Sequence, residues 1–319
     1  MTETTEGRLR LTILGGFLGS GKTTWLRHQL HTGAFGRVHV IVNEAADAPV
    51  DDALLQAADQ MTLLSGACVC CTGRDQLRDA LLSLCDVRSR RADHDTRLEN
   101  IVLETSGLAD PGAILSVIQA DPILVRQIVV AETIVIVDAL NALQQMQQET
   151  LSRRQIEAAD RLILTKTDIS GSTDTAGLRA TLRALAPGAT QSAASFGSDM
   201  PLPALASQQK PLALPDLADD DSAPIIATRL TLGPTPDWTA FTVWLSALLH
   251  ARGDQIVRVK GVVRTPAGRL LLQTVRRSVQ SPEILPEPDV PCDTDNTIAV
   301  IGRGFTQDQL AASLARVSA

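Results

Sequence analysis

Leu9-Arg10-Leu11-Thr12-Ile13-Leu14 runs straight into Gly15-Gly16-Phe17-Leu18-Gly19-Ser20-Gly21-Lys22-Thr23-Thr24, and this junction decides the fold. The first six residues form an apolar run that suits a buried strand, and Thr24 to Leu30 has helical spacing. Between them, Gly16 to Thr23 fits GxxxxGK[ST] in the strand, loop and helix context that the pattern requires. Glycines let the backbone curl until successive N–H groups face one anion, and the helix start adds the positive end of its dipole. Gly16, Gly19, Ser20, Gly21 and Thr24 are therefore expected to line a phosphate cradle. Lys22 is expected to reach the terminal phosphates, and Thr23 to offer a hydroxyl to Mg²⁺.

Outward from this loop, short strand-like runs recur at Val38 to Asn43, Met61 to Leu64, Ile101 to Glu104, Thr133 to Asp138 and Arg161 to Thr165. Amphipathic stretches such as Gln76 to Cys85 and Ser152 to Ala159 lie between them. Strands alternating with helices predict an α/β fold with a doubly wound, mostly parallel sheet. From about residue 197 to 224 the composition turns to Pro, Ser, Ala and Asp, which reads as a linker. Beyond it the pattern predicts a strand near Ile225 to Leu232 and a helix capped by Asp237 that runs to Leu249. Two strands follow, Gln255 to Arg264 and Arg269 to Val275, joined by a turn at Thr265 to Gly268. A last strand, Thr297 to Gly302, leads to a helix opened by the capping box Thr306 and Gln309. The expected organisation is a nucleotide domain over 8–196, a linker over 197–224 and a smaller α+β C-terminal domain over 225–319.

Two further segments suit a phosphate-handling site. Ile101-Val102-Leu103 ends in Glu104-Thr105-Ser106-Gly107, which puts a carboxylate at the carboxyl end of a strand, where it can hold Mg²⁺ or its water. Gly107 is free to place an N–H on a γ-phosphate. The strand Arg161 to Leu164 ends in Thr165-Lys166-Thr167-Asp168, which is close to the guanine-reading NKxD with Thr for Asn. Asp168 would accept from the guanine N1–H and the exocyclic amine, donors that adenine does not present together. Lys22, Thr23, Glu104 and Gly107 form the expected catalytic set, and Lys166 and Asp168 join the loop residues in nucleotide binding.

Cys68-Val69-Cys70-Cys71 follows the strand Met61 to Leu64 and precedes a helix, at the edge where doubly wound sheets bind ligands. Three thiolates converging in a turn suit Zn²⁺ or another borderline-soft ion in a transferable site, and no fourth Cys or His stands nearby to close it. Buried free thiols and a redox pair are the alternatives from the residues alone. Cys85 and Cys292 have no partner at metal spacing and are expected to be structural. The five histidines are scattered.

The chain has 319 residues, 44% of them apolar and 20% charged, with a net charge of −7. That charge argues against nucleic acid or an anionic membrane as the partner. Aromatics at 3% leave few stacking platforms for bases. No stretch reaches 18 apolar residues, and Met1 to Arg10 is polar, so a cytoplasmic protein that neither spans a membrane nor enters secretion is expected.

Together these residues resemble the CobW family of P-loop GTPases, the metallochaperone branch related to the nickel-insertion GTPases. The resemblance rests on GGFLGSGKTT at Gly15 to Thr24, ExxGxxxP at Glu104 to Pro111 and CxCC at Cys68, Cys70 and Cys71. Val257-Arg258-Val259-Lys260-Gly261, Gln273 to Val275 and Ile301-Gly302-Arg303 are similar to the family's second domain. The family's switch segment, NExGExxxD, is kept only in part at Asn43 to Asp51. Here Glu44 is retained, Asp47 replaces the second Glu, the Gly is lost and Pro49 is added. Thr165 removes one amide partner from the guanine motif, and the family's His-rich stretch is absent from the linker.

The resemblance implies a GTP-hydrolysing metal-transfer protein that binds GTP or GDP, Mg²⁺ and a transition metal, with zinc first and cobalt or iron as alternatives. Cys68, Cys70 and Cys71 would hold that metal, Glu44 or Asp47 would lend a further ligand, and an unidentified metalloprotein client would receive it. A homodimer is left open. A small-molecule kinase and a non-catalytic thiol or metal sensor are the competing classes.

Overall fold

The computed structural model describes residues 7–44, 60–65, 73–90, 98–168, 172–205, 209–215, 226–233, 236–253, 255–275, 277–279, 282–285, 287 and 295–317. The chain divides into two compact units, one over 9–220 and one formed by 221–319 with 1–8.

In the first unit, β1 (Leu9–Gly16) is the central strand of a mostly parallel sheet. It lies between β4 (Asn100–Glu104) and β5 (Ile128–Asp138). Outward on one side come β2 (Val38–Glu44) and β3 (Gln60–Ser65), and on the other β6 (Arg161–Thr165), β7 (Thr190–Ser195) and the short antiparallel β8 (Ser198–Met200). The order of the described strands, β3-β2-β4-β1-β5-β6-β7-β8, reverses direction at β1. Such a reversal opens a crevice at the carboxyl ends of the strands, where ligands bind.

Both faces of this sheet are covered, which is why its strands read as nearly continuous apolar runs. Alternate residues of one strand serve opposite layers. Ile134 and Ile136 of β5 and Ile163 of β6 pack with Trp25, Leu26 and Leu30 of α1 (Lys22–His31). Val135, Val137, Leu162 and Leu164 face the other way. They pack with Met146 of α5 (Ala142–Gln148), Ile156 of α6 (Thr150–Glu157) and Leu178 and Leu182 of α7 (Ser172–Leu185). Among the described residues, the remaining helices of the unit are α2 (Arg74–Arg90), α3 (Pro111–Ala120) and α4 (Pro122–Gln127). The last two both open on Asp-Pro, with Asp110 and Asp121 accepting from backbone N–H groups and proline at the first helical position.

The Pro-rich stretch after residue 197, read from the sequence as a linker or loose crossing segment, contains β8, and Leu202 and Leu214 pack on the α5, α6 and α7 layer. Regular apolar spacing is missing there because the chain is extended and touches the core at isolated residues.

In the second unit the antiparallel order β12 (Ser278–Val279), β11 (Gly268–Val275), β10 (Ile256–Thr265), β14 (Thr297–Gly302), β9 (Ile226–Thr231) carries β13 (Glu283–Leu285) on β11. Phe241, Trp244, Leu245 and Leu249 of α8 (Trp238–Arg252) cover its core face with Leu310 of α9 (Gln307–Ala315). The Asp237 cap and the Thr306–Gln309 capping box both form. Among the described residues, no helix is long and apolar enough to cross a membrane.

Candidate functional site

β1 delivers the chain to Gly16, whose φ of +136° lies outside the range of ordinary side chains. A Cβ there would press on the Ile136 carbonyl oxygen and lie 2.9 Å from Ser20 Oγ. The backbone then turns through Gly19 and Gly21, and Gly21 precedes α1 in a left-handed conformation. Lys22 Nζ donates to the carbonyls of Gly16 at 3.0 Å and Phe17 at 3.2 Å, so the ammonium is held against its own loop. Ser20 is fully buried, and its hydroxyl has no hydrogen-bond partner among the described residues. An orphaned buried donor beside a turn of backbone N–H groups fits a phosphate oxygen. Thr24 follows in the first turn of α1.

The second element is the end of β4. Thr23 Oγ1 donates to Glu104 Oε1 at 2.5 Å, a short charge-assisted bond that joins α1 to a buried carboxylate. Hydroxyl and carboxylate form a hard-oxygen pair, the donor type that Mg²⁺ takes beside phosphate. Downstream, Gly107 touches the phosphate loop directly. A Cβ on it would stand 2.7 Å from Leu18 N and 2.9 Å from Leu18 Cα. Asp110 and Pro111, the end of the ExxGxxxP stretch, form the start of α3. That part of the motif is a helix cap and fixes where the Gly107 loop ends.

The third element is the turn after β6. Thr165 Oγ1 donates to the Ser20 carbonyl at 2.8 Å. Lys166, at φ +60°, donates from Nζ to the Gly19 carbonyl at 3.1 Å and to Asp138 Oδ2 at 2.7 Å. Two consecutive residues thus hold two consecutive carbonyls of the phosphate loop. The hydroxyl at position 165 supplies an anchor of its own where an amide was missed. Asp168 is exposed two residues further on.

Two residues that no sequence motif marks, Asp138 and Gln155, also bond to these loops. Asp138 ends β5 with a side chain 2% exposed. Burial alone would push its carboxyl up, but bonds from the Lys166 and Asn141 side chains and the Leu140 N–H hold it below its ordinary range. A carboxylate closing an apolar strand, as in Ile134-Val135-Ile136-Val137-Asp138, is the same signal that picked out Glu104. Gln155 of α6 is buried and donates from Nε2 to the carbonyls of Gly107 at 3.1 Å and Ala109 at 2.9 Å. Nothing in its spacing distinguishes it from a surface glutamine.

The metal ligands expected at Cys68, Cys70, Cys71 and Asp47 lie outside the described residues, as does the side chain of Glu44. Glu44 itself ends β2, level with Ser65 at the end of parallel β3. Both strands therefore leave the sheet at the edge that carries the phosphate loop. Among the described residues, no three His, Cys, Asp or Glu side chains gather as a metal site. Cys85 is buried in α2, and burial pushes its thiol up to about 11, as for an inert packing residue.

Residues 10–192 match the CobW/HypB/UreG nucleotide-binding domain, and residues 226–318 match the C-terminal domain of the cobalamin synthesis protein cobW. The chain is 38% identical over 164 residues to the zinc chaperone YjiA of Escherichia coli, covering 51% of each protein. It is 32% identical over 180 residues to the zinc-regulated GTPase metalloprotein activator 1 of Schizosaccharomyces pombe, covering 54% of this chain and 42% of that one. The chain thus spans about half the length of these curated relatives. The crystal structure of Zn(II)-bound YjiA GTPase from E. coli superposes with a TM-score of 0.60 at 25% identity, over 97% of this chain and 99% of that one. On its sequence and its architecture, the chain belongs to the CobW/HypB/UreG family.

Proposed function

We propose that this chain is a GTP-dependent metallochaperone of the cytoplasm, which hydrolyses GTP and hands a transition metal, zinc first, to a client protein. The observation that carries the nucleotide reading is the pair of bonds from Thr165 and Lys166 to the Ser20 and Gly19 carbonyls. It makes the TKTD turn and the phosphate loop one rigid piece, with Asp168 exposed beside it to accept from guanine. The metal reading is supported by the relatives, named as zinc chaperones, and by the place of the CxCC triplet in the chain. That triplet falls between β3 and α2, after a strand that ends at the nucleotide edge. In this reading Cys68, Cys70 and Cys71 hold the metal, and Glu44 or Asp47 adds a ligand.

In this reading hydrolysis uses the following residues. The Lys22 ammonium exchanges two loop carbonyls for β- and γ-phosphate oxygens, and the Ser20 hydroxyl and the loop amides complete the cradle. Thr23 and Glu104 would hold Mg²⁺, which when bound neutralises charge developing between the β- and γ-phosphates. Gly107 offers its N–H to the γ-phosphate. Water attacks the γ-phosphorus in line, the bond to the bridging oxygen breaks, GDP leaves, and both of the water's protons depart with the released phosphate as dihydrogen phosphate. With no water-positioning side chain evident in the sequence, intrinsic turnover is slow. The second unit is assigned to client recognition.

The test is Asp168→Asn. It should weaken GTP binding while accepting xanthosine triphosphate, whose base presents the complementary pattern to an amide. Equal use of GTP and ATP by the wild type would remove Asp168 from the base site.

A further inference from the structure

Helix α6 makes two sets of contacts that the nucleotide chemistry does not require. At one, Gln155 gives both protons of its amide to the Gly107 and Ala109 carbonyls, on either side of Leu108 in the loop that faces the γ-phosphate. Both partners are acceptors, so the nitrogen of this amide, and not its oxygen, faces the loop. At the other, two residues earlier, the buried Arg153 donates from Nε to the Met146 carbonyl at 2.6 Å and from its guanidinium to the Pro215 carbonyl at 2.7 Å. Pro215 is the last described residue before the segment that leads in sequence to the second unit. The chain just before it is tied down as well. The Leu212 N–H donates to Thr181 Oγ1 of α7 at 2.8 Å, and the Leu212 side chain packs against Gly177.

We propose that Gln155 is a positioning residue for the γ-phosphate loop, and that α6 relays the state of that loop, through Arg153, to the extended segment 209–215. The proposal rests on the nucleotide reading above and adds its regulation. The physical basis is that Gly107 cannot shift alone. Its Cα sits against the Leu18 backbone on one side, and its carbonyl is held from α6 on the other. When the γ-phosphate draws the Gly107 N–H, the carbonyls of 107 and 109 move relative to Gln155. Leaving a buried amide and two buried carbonyls unpaired is costly, so α6 adjusts with the loop. Arg153 is rigidly bonded on the same helix, and the adjustment therefore reaches Pro215. A coupling of this kind needs an element that two sites bias in common, and α6 is that element.

The test uses the full chain and reads amide hydrogen exchange at Leu212, Ala213 and Leu214 in complexes with GDP and with a non-hydrolysable GTP analogue. Exchange in the wild type should differ between the two states by at least about fivefold, the lower end of a useful coupling. Gln155→Met, which keeps the shape and removes both donors, and Arg153→Lys, which loses the fork, should each abolish the difference. Gln155→Met should also lower the preference for the GTP analogue over GDP while leaving GDP affinity in place, a split that mere loosening of the fold would not give. If Gln155→Met fails to fold by circular dichroism, Arg153→Lys carries the test alone. Equal exchange in the two wild-type complexes, or a difference that survives in either variant, would overturn the relay. Failure of the wild type to bind either nucleotide would take down the underlying reading with it.

Discussion

The Thr165 hydroxyl donates to the Ser20 carbonyl at 2.8 Å and so stitches the turn after β6 to the loop between β1 and α1 across 145 residues of sequence. The neighbouring bond from Lys166 to Gly19 makes a second stitch. In the proposed reading, base and phosphate are bound on one framework, and damage to either loop should be felt by the whole nucleotide.

Thr165→Val should lower GTP affinity about two- to tenfold, the worth of one net hydrogen bond. Thr165→Asn should retain most of it, because a carboxamide can donate to the same carbonyl. Fluorescent GTP titration distinguishes the two, and a silent Thr165→Val would show that the stitch does not matter for binding.

Lys22→Ala should abolish nucleotide binding. Thr23→Ala and Glu104→Gln should bind GTP but hydrolyse it slowly and with altered Mg²⁺ dependence, since they share the 2.5 Å contact. Wild-type phosphate release from the Glu104 variant would reduce that carboxylate to a structural role.

The Asp138–Lys166 pair gives a pH dependence whose sign is fixed. The folded-state carboxyl lies below its ordinary value. The stabilisation is therefore present above the ordinary carboxylate range and is lost only as pH falls through the lowered value. Folding stability attributable to this pair, read by urea unfolding, should be flat from neutral pH down to the ordinary carboxylate range and be lost only below it. Asp138→Asn should weaken GTP at neutral pH and remove that acid dependence.

In the second unit, Asp295 is paired by both Nε and a terminal nitrogen of Arg269 at 2.9 Å, and by Arg264 Nε at 2.8 Å. Hydrogen bonds and charge from Arg269, and then from Arg264, hold its carboxyl low against the opposing effect of burial. Asp295→Asn should cost roughly 1.5–3 kcal/mol, the worth of hydrogen bonds to a charged group. The loss should be largest above the ordinary carboxylate range, and urea unfolding at pH 7 and pH 3 measures both.

Much of this was legible because the sheet is buried on both faces. Its strands appear as apolar runs, and Arg161–Thr165 and Thr297–Gly302 have the observed bounds. The loops with special chemistry were visible where glycine, lysine and carboxylate coincide. β7 was not, since Thr190-Gln191-Ser192-Ala193-Ala194-Ser195 has small and polar residues in place of β-branched ones and draws its stability from pairing with β6. Gln155 and Arg153 were hidden for another reason. Their role lies in contacts to backbone carbonyls distant in sequence, and no spacing within α6 encodes that.

If hydrolysis of GTP is to release the metal, as the proposed function requires, zinc must bind more tightly beside the GTP analogue than beside GDP, and a competitive Zn²⁺ titration of the two complexes measures this. Coupling of about 1–3 kcal/mol predicts roughly 5–150-fold tighter zinc in the GTP-analogue state, with an equal gain in GTP-analogue affinity when zinc is bound. Binding through thiolates should release protons and weaken as pH falls. The difference should vanish when Cys68, Cys70 and Cys71 are all changed to Ser, while Cys85→Ser leaves it intact. Equal zinc affinity in the two complexes, or full binding by the triple variant, would contradict the account.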